Sequence, residues 1–192
     1  MADTIYALSS GAPPAGIGVI RISGPRAGEA LSRMAGGLPP VRSPRLRILR
    51  NGEGEALDQA LVMWFAGPNT ATGEDLAEIH CHGGRAVVAA LLAALSSIDG
   101  LREAEPGEFT RRAFSNGRID LAEAEGLADL LSAETELQRR GALLAAGGDL
   151  SRGIEGWRDR VLGLAASIEA VIDFADEDDV SLPASFSREL DE

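Results

Sequence analysis

Eight of the nine prolines in this chain fall at or before Pro106, and the ninth is Pro183. Proline breaks helix interiors and cannot donate to a strand ladder. Its distribution therefore separates two regimes. Before Pro106 the apolar segments are short and punctuated by Pro and Gly; after it, apolar residues recur at helical spacing. The expected fold class is α+β. A mixed α/β domain spans residues 1–117, and long antiparallel helices of an incomplete helical domain follow over 118–192. The join is residues 105–131, E-P-G-E-F-T-R-R-A-F-S-N-G-R-I-D-L-A-E-A-E-G-L-A-D-L-L.

In the first regime, residues 4–8 and 17–22 (I-G-V-I-R-I) read as strands separated by the turn P-P-A-G. Alternation places Arg21 on the face opposite its flanking isoleucines. Ser23 sits where a helix cap is expected, ahead of a helix over 27–34. Its Gly-rich approach reads as a structural turn rather than a phosphate loop. Residues 45–50 and 56–65 form a strand pair, and Asn51-Gly52 carries a type I′ hairpin signal. Arg45, Arg47 and Arg50 could touch an anion, but a solvated strand face is the favoured reading. After a turn over 67–73, residues 74–81 read as a strand opening through His82-Gly83-Gly84 into an apolar helix over 86–95. A helix N-terminus there makes a plausible ligand edge, because its amides lack intrahelical partners. Glu78, inside this apolar strand, needs either an arginine or a bound donor. A metal centre at His80, Cys81 and His82 is rejected, since adjacent residues cannot converge on one ion and no second cluster completes four ligands.

Residues 101–104 make a last short strand. Pro106 opens a helix whose Glu105 and Glu108 suit its positive end, and Asn116-Gly117 stops it. Asp120 and Glu123 have capping-box spacing. One helix is expected from there to about residue 146, broken by Gly147-Gly148. A second starts at Asp149 with a heptad-like seam of Leu150, Ile154, Trp157, Val161, Leu164, Ile168 and Val171. Gly153, Gly156 and Gly163 weaken this helix intrinsically, so packing must hold it. Two helices cannot close a core alone. With the acidic end at 175–180 and a further helix start at Pro183, the chain is expected to be part of a longer protein.

Charge follows the same division. Residues 1–116 carry 11 Arg and 12 Asp/Glu, whereas residues 117–192 carry 7 Arg and 18 Asp/Glu. So acidic a second half would repel a phosphate backbone. There is no lysine anywhere, which excludes a Walker-type G-x-x-x-x-G-K-[ST] loop and a lysine nucleophile. The single cysteine, Cys81, cannot form an internal disulfide and fits a reducing, cytoplasmic setting. Nothing resembles a signal peptide or a membrane span.

Taken together, D-T-I, G-V-I-R-I-S-G, G-P-N-T-A-T-G-E-D, H-G-G, the 105–125 run and I-D-F-x-D-E resemble, in order, the tRNA-modifying GTPase family called MnmE or TrmE. The resemblance implies an N-terminal domain similar to the folate-binding domain of aminomethyltransferases, which also forms the homodimer. A helical domain interrupted by a Ras-like GTPase domain would follow. It implies a tetrahydrofolate one-carbon donor, 5-formyltetrahydrofolate or 5,10-methylenetetrahydrofolate, in the first domain. GTP, Mg2+ and K+ belong to the GTPase domain, whose motifs do not occur in these 192 residues; GTP hydrolysis by this chain alone is not expected. The implied partners are the flavoprotein MnmG and tRNA, whose wobble uridine receives a carboxymethylaminomethyl or aminomethyl group.

The family's folate-contacting positions fall on Arg21, Glu78 and Arg118. A carboxylate can accept from pterin N–H groups, and arginines can meet folate oxygens or tail carboxylates. Arg118 stands where the family often has lysine, and the P-A-G-I-G loop is shorter than the usual one. Cys81 does not correspond to the family's C-terminal cysteine. Two alternatives are a non-catalytic dimerisation scaffold and a free-standing folate-dependent aminomethyltransferase.

Overall fold

The computed structural model describes residues 3–173. The expected acidic end and the helix start at Pro183 lie outside them. The chain divides into two units, Met1–Ile119 and Asp120–Glu192.

The first unit is built on a six-stranded sheet: β1 (Thr4–Leu8), β2 (Ile17–Ser23), β3 (Arg45–Arg50), β4 (Ala56–Phe65), β5 (Leu76–His82) and β6 (Leu101–Glu103). Their order is β3-β4-β5-β2-β1-β6. All neighbours are antiparallel except β1 and β6, which run parallel. Period-2 alternation gives the sheet two unlike faces. On one, Tyr6, Ile20, Ile22, Val62, Trp64, Ala77 and Ile79 form the core with helices α1 (Ala27–Ala35) and α2 (Arg85–Ser96). The opposite face carries Val19, Arg21, Leu61, Met63, Glu78 and His80, none of them fully buried. Trp64 packs so closely on α1 that a Cβ at Gly28 would lie 2.9 Å from the indole ring.

Helix α3 (Glu108–Ser115) follows β6, and Gly117 beyond it takes φ 65°, the left-handed stop expected of Asn116-Gly117. The second unit holds α4 (Leu121–Ser132), α5 (Glu136–Ala146) and α6 (Asp149–Asp173). Asp120 caps α4 with the full capping box to Glu123. Gly126 lets α4 and α5 touch: a Cβ there would lie 2.5 Å from the Ala146 amide nitrogen.

Three local expectations are corrected. Ser23 caps no helix; it ends β2, and α1 starts at Ala27, with Arg26 in the cap position and no side-chain cap. Asn51-Gly52 makes no type I′ turn. Asn51 instead accepts from the Glu53 and Glu55 amides through its side chain, and Gly54 takes the left-handed conformation (φ 86°). The helix expected over 121–146 is two helices. Ala133 is extended, and Thr135 and Gln138 form a second capping box that starts α5. The T-E-L-Q signature was in the sequence, and the six-residue step from Leu131 to Leu137 already departs from helical spacing.

The heptad seam of α6 is continuous but uncovered among the described residues. Leu150, Ile154, Trp157, Val161 and Ile168 are all exposed, and α6 buries no residue. No helix of the described residues is long and apolar enough to cross a membrane.

Candidate functional site

Arg21 and Glu78 are register partners on β2 and β5, the two central strands of the sheet. Antiparallel partners point to the same face, so both project from the side opposite α1 and α2. Arg21 Nε and Nη2 both donate to Glu78 Oε1, at 3.1 and 2.8 Å. His80, two residues along the same face, places Nε2 3.1 Å from Glu78 Oε2. Glu78 is thus partnered within the protein. Burial pushes its pKa up, but the hydrogen bonds from His80 and Arg21 prevail and hold it below the ordinary carboxylate value. Its side chain is 14 % exposed and that of Arg21 32 %, so solvent reaches the pair from one side. Half-buried Val19 and Met63 flank it on the same face.

The neighbouring residues of the H-C-H run diverge. His82 Nδ1 meets Asp58 at 2.7 Å, and the Cys81 thiol lies on the core face, donating to the Gly18 carbonyl. Burial, seconded by the negative charge of Asp58, pushes that thiol up. Among the described residues no group of three or more His, Cys, Asp or Glu is arranged to hold a metal ion.

Arg118 lies elsewhere in the unit. Its amide donates to the Ala113 carbonyl at the end of α3, and its stem crosses Gly73, where a Cβ would lie 3.2 Å from Arg118 Cγ. No hydrogen bond or ion pair joins it to Arg21 or Glu78, and its guanidinium meets no carboxylate among the described residues.

A polar chain spans the space between them, and sequence reasoning missed it. Ser23, two residues beyond Arg21 on the same face, donates to Glu74 Oε2 at 2.7 Å. Its single proton being used there, it accepts from Thr72 Oγ1, also at 2.7 Å. The Thr72 carbonyl accepts from Asn116 Nδ2 at 2.7 Å, two residues before Arg118. Glu74 further binds Arg112 of α3. The G-P-N-T-A-T-G-E-D loop and the N-G-R segment, distant in sequence, are therefore one hydrogen-bonded structure.

Glu108 has a larger role than its expected one at a helix end. It is 3 % exposed and binds Arg102 through both oxygens, at 2.5 and 2.8 Å, Arg112 at 3.1 Å, and the Glu105 amide at 2.8 Å. The Arg102 hydrogen bond is the main cause that lowers its pKa to about 2, against an opposing effect of burial. Asp3 also pairs with both Arg102 and Arg112, tying α3 to the start of β1. Much of the E-P-G-E-F-T-R-R run is thus architecture that fixes α3, and through Asn116 the backbone before Arg118.

Comparison with known proteins agrees with this anatomy. Residues 4–118 match the family model described as GTP-binding protein TrmE N-terminus, and residues 121–192 match the MnmE helical domain. A protein of Erythrobacter litoralis named tRNA modification GTPase MnmE is 65 % identical over 93 % of this chain and 42 % of its own length. Proteins of the same name from Novosphingobium aromaticivorans and Rhizorhabdus wittichii are 67 % and 62 % identical, over 94 % and 98 % of this chain and 41 % and 44 % of theirs. The chain thus spans about two fifths of the length of these relatives. It belongs to the TrmE (MnmE) family, of which it carries the N-terminal and helical regions.

Proposed function

We propose that this chain is the folate-binding and dimerising part of a cytoplasmic tRNA-modifying GTPase. That enzyme, with the flavoprotein MnmG, adds a carboxymethylaminomethyl or aminomethyl group to the wobble uridine of tRNA. The observation that carries the reading is the Arg21–Glu78 pair on the face of the sheet opposite α1 and α2. A carboxylate beside a guanidinium, flanked by Val19 and Met63, offers acceptor, donor and apolar contact together. That set suits a flat, amide-bearing pterin. Both Arg21 nitrogens that reach Glu78 use one oxygen, which leaves Nη1 available to a ligand oxygen. Arg118 supplies a cation without a carboxylate partner for the anionic tail. A bound tetrahydrofolate would supply the one-carbon unit; the residues of this chain hold and orient it.

Dimerisation has its own support. Leu46, Ile48, Leu61 and Ile17 are 57 %, 49 %, 37 % and 64 % exposed. Their register places all four on the face opposite α1 and α2. Apolar groups so placed are stabilised by a second copy.

Calorimetry with 5-formyltetrahydrofolate tests the reading. Binding is expected for the wild-type chain, reduced at least tenfold in Glu78→Gln and weakened in Arg118→Ala with the fold intact. No heat in the wild type, or unchanged binding in Glu78→Gln, overturns the site. Light scattering should give a dimer that Leu61→Glu converts to monomer.

A further inference from the structure

The chain has a formal net charge of −12, and its arginines are mostly neutralised within it. Among the described residues, Arg21, Arg26, Arg33, Arg102, Arg111, Arg112, Arg139, Arg140, Arg152 and Arg158 all have carboxylate partners. Arg42, Arg45, Arg47, Arg50, Arg85 and Arg118 do not, and the first four crowd into nine residues on and just before β3. Arg45, Arg47 and Arg50 hydrogen-bond only backbone carbonyls: those of Pro44, Leu46 and Gly54. Glu53, in the loop after β3, forms no ion pair with these arginines, and the next two carboxylates are otherwise engaged. Glu55 accepts from Asn51, and Asp58 from His82.

β3 is also the end strand of the sheet, with one ladder and, among the described residues, one free edge. Arg45 and Arg47 pair with Val62 and Ala60, so they share the face opposite Leu46 and Ile48, about 7 Å apart along the strand. At its end, Arg50 and Arg33 of α1 line one cavity of about 320 Å³ with Asn51 and Ser97. Two guanidinium groups brought from different elements into one recess suit a tetrahedral, doubly charged anion. A row of further guanidiniums beyond it suits the next anions along a polymer.

We propose that the free β3 edge and this cavity form a docking surface for the phosphate backbone of a folded RNA. The proposal rests on the tRNA-modification reading above for its choice of polymer. It also answers a physical difficulty of that reading: a chain of net charge −12 repels RNA overall, so the approach is steered to where unneutralised arginines cluster. Folate and a second copy use the other face of the sheet, which leaves Arg45 and Arg47 free for RNA.

The test is fluorescence anisotropy of a labelled, unmodified tRNA transcript with the 192-residue chain, at several salt concentrations. Arg45→Gln/Arg47→Gln/Arg50→Gln is compared with Arg139→Gln/Arg140→Gln on α5, and poly-glutamate serves as competitor. All these side chains are exposed, and unchanged thermal melts confirm the fold. The triple variant should lose about tenfold or more in affinity and reduce the log–log salt slope by about 2 to 3. The α5 variant should change little, and Arg→Lys at the three positions should restore the slope. Four results overturn the proposal: no RNA binding by the wild type at low salt, equal losses in both variants, displacement by poly-glutamate as effective as by RNA, or aggregation of the triple variant with unaltered RNA affinity. The third would mean an acidic protein partner, and the fourth an edge merely protected against strand pairing. Folate calorimetry separates the two readings. RNA failure with intact folate binding removes only the docking surface. Folate failure with arginine-dependent RNA binding removes only the folate site.

Discussion

The two units obey the same local rules and reach opposite degrees of closure. In the first, Ile5, Ile20, Ile22, Leu31, Leu49, Ile79, Leu91 and Leu95 are wholly inaccessible. In the second, the buried residues among those described are Gly126, Ala142 and Gly148, none larger than alanine. Yet the second unit has the better helix signals, with two complete capping boxes, whereas α1, α2 and α3 have no side-chain cap at all. Caps and periodicity make helices; only a facing layer makes a core. A sheet provides that layer to α1 and α2, and three helices with exposed apolar faces do not provide it to one another.

Four measurements can break or sharpen this contrast, using Trp64 of β4 and Trp157 of α6 as separate reporters. The largest effect is expected from Ile22→Ala, about 3 to 4 kcal/mol off the first unit in denaturant unfolding, while Leu131→Ala, at 83 % exposure, changes the second by under about 0.5 kcal/mol. Equal losses would abolish the distinction. Next, Gly126→Leu drives a side chain into the Ala145–Ala146 backbone of α5 and should cost about 3 kcal/mol in the helical signal, with Trp64 unaffected. It identifies where the second unit is tightly packed.

Third comes Glu108→Gln, expected to cost the first unit about 2 kcal/mol at neutral pH by weakening charge-assisted hydrogen bonds. The carboxyl of Glu108 is held near 2 in the fold, below its ordinary 4.5, so its contribution is complete above about pH 4.5 and lost as the pH falls toward 2. Acid titration of the wild type should show this limb and the variant should flatten it; identical profiles would remove Glu108 from its place at the centre of the network. Smallest is Asp120→Ala, about 1 kcal/mol from the lost cap of α4, read as fraying in helical circular dichroism.

Local signals were legible where the chain talks to itself over a few residues. The strands at Thr4–Leu8 and Arg45–Arg50 begin and end where composition placed them, as do the Asp120 cap and the Gly147-Gly148 break. The facing of Arg21 away from Ile20 and Ile22 followed from alternation alone. That Glu78 would need a partner was legible too, but not that the partner would be Arg21, because fifty-seven residues separate them and only the β2–β5 register joins them. The Ser23–Thr72–Glu74 contacts and the pairing of Asp3 with Arg102 and Arg112 were invisible for the same reason, whereas the partners of Glu108 itself lie within six residues of it.

What the sequence determined by itself is the α+β division, the family, and the alternation that gives the sheet its two faces. These rest on short-range periodicity, turn chemistry and motif order, which the chain carries wherever it goes. Tertiary structure decided that Arg21 pairs Glu78, that Arg118 is seated against Gly73 instead, and that the arginines of β3 stand without carboxylates. Ion pairing is a property of neighbours in space, and strand order and register, which no local pattern encodes, choose those neighbours.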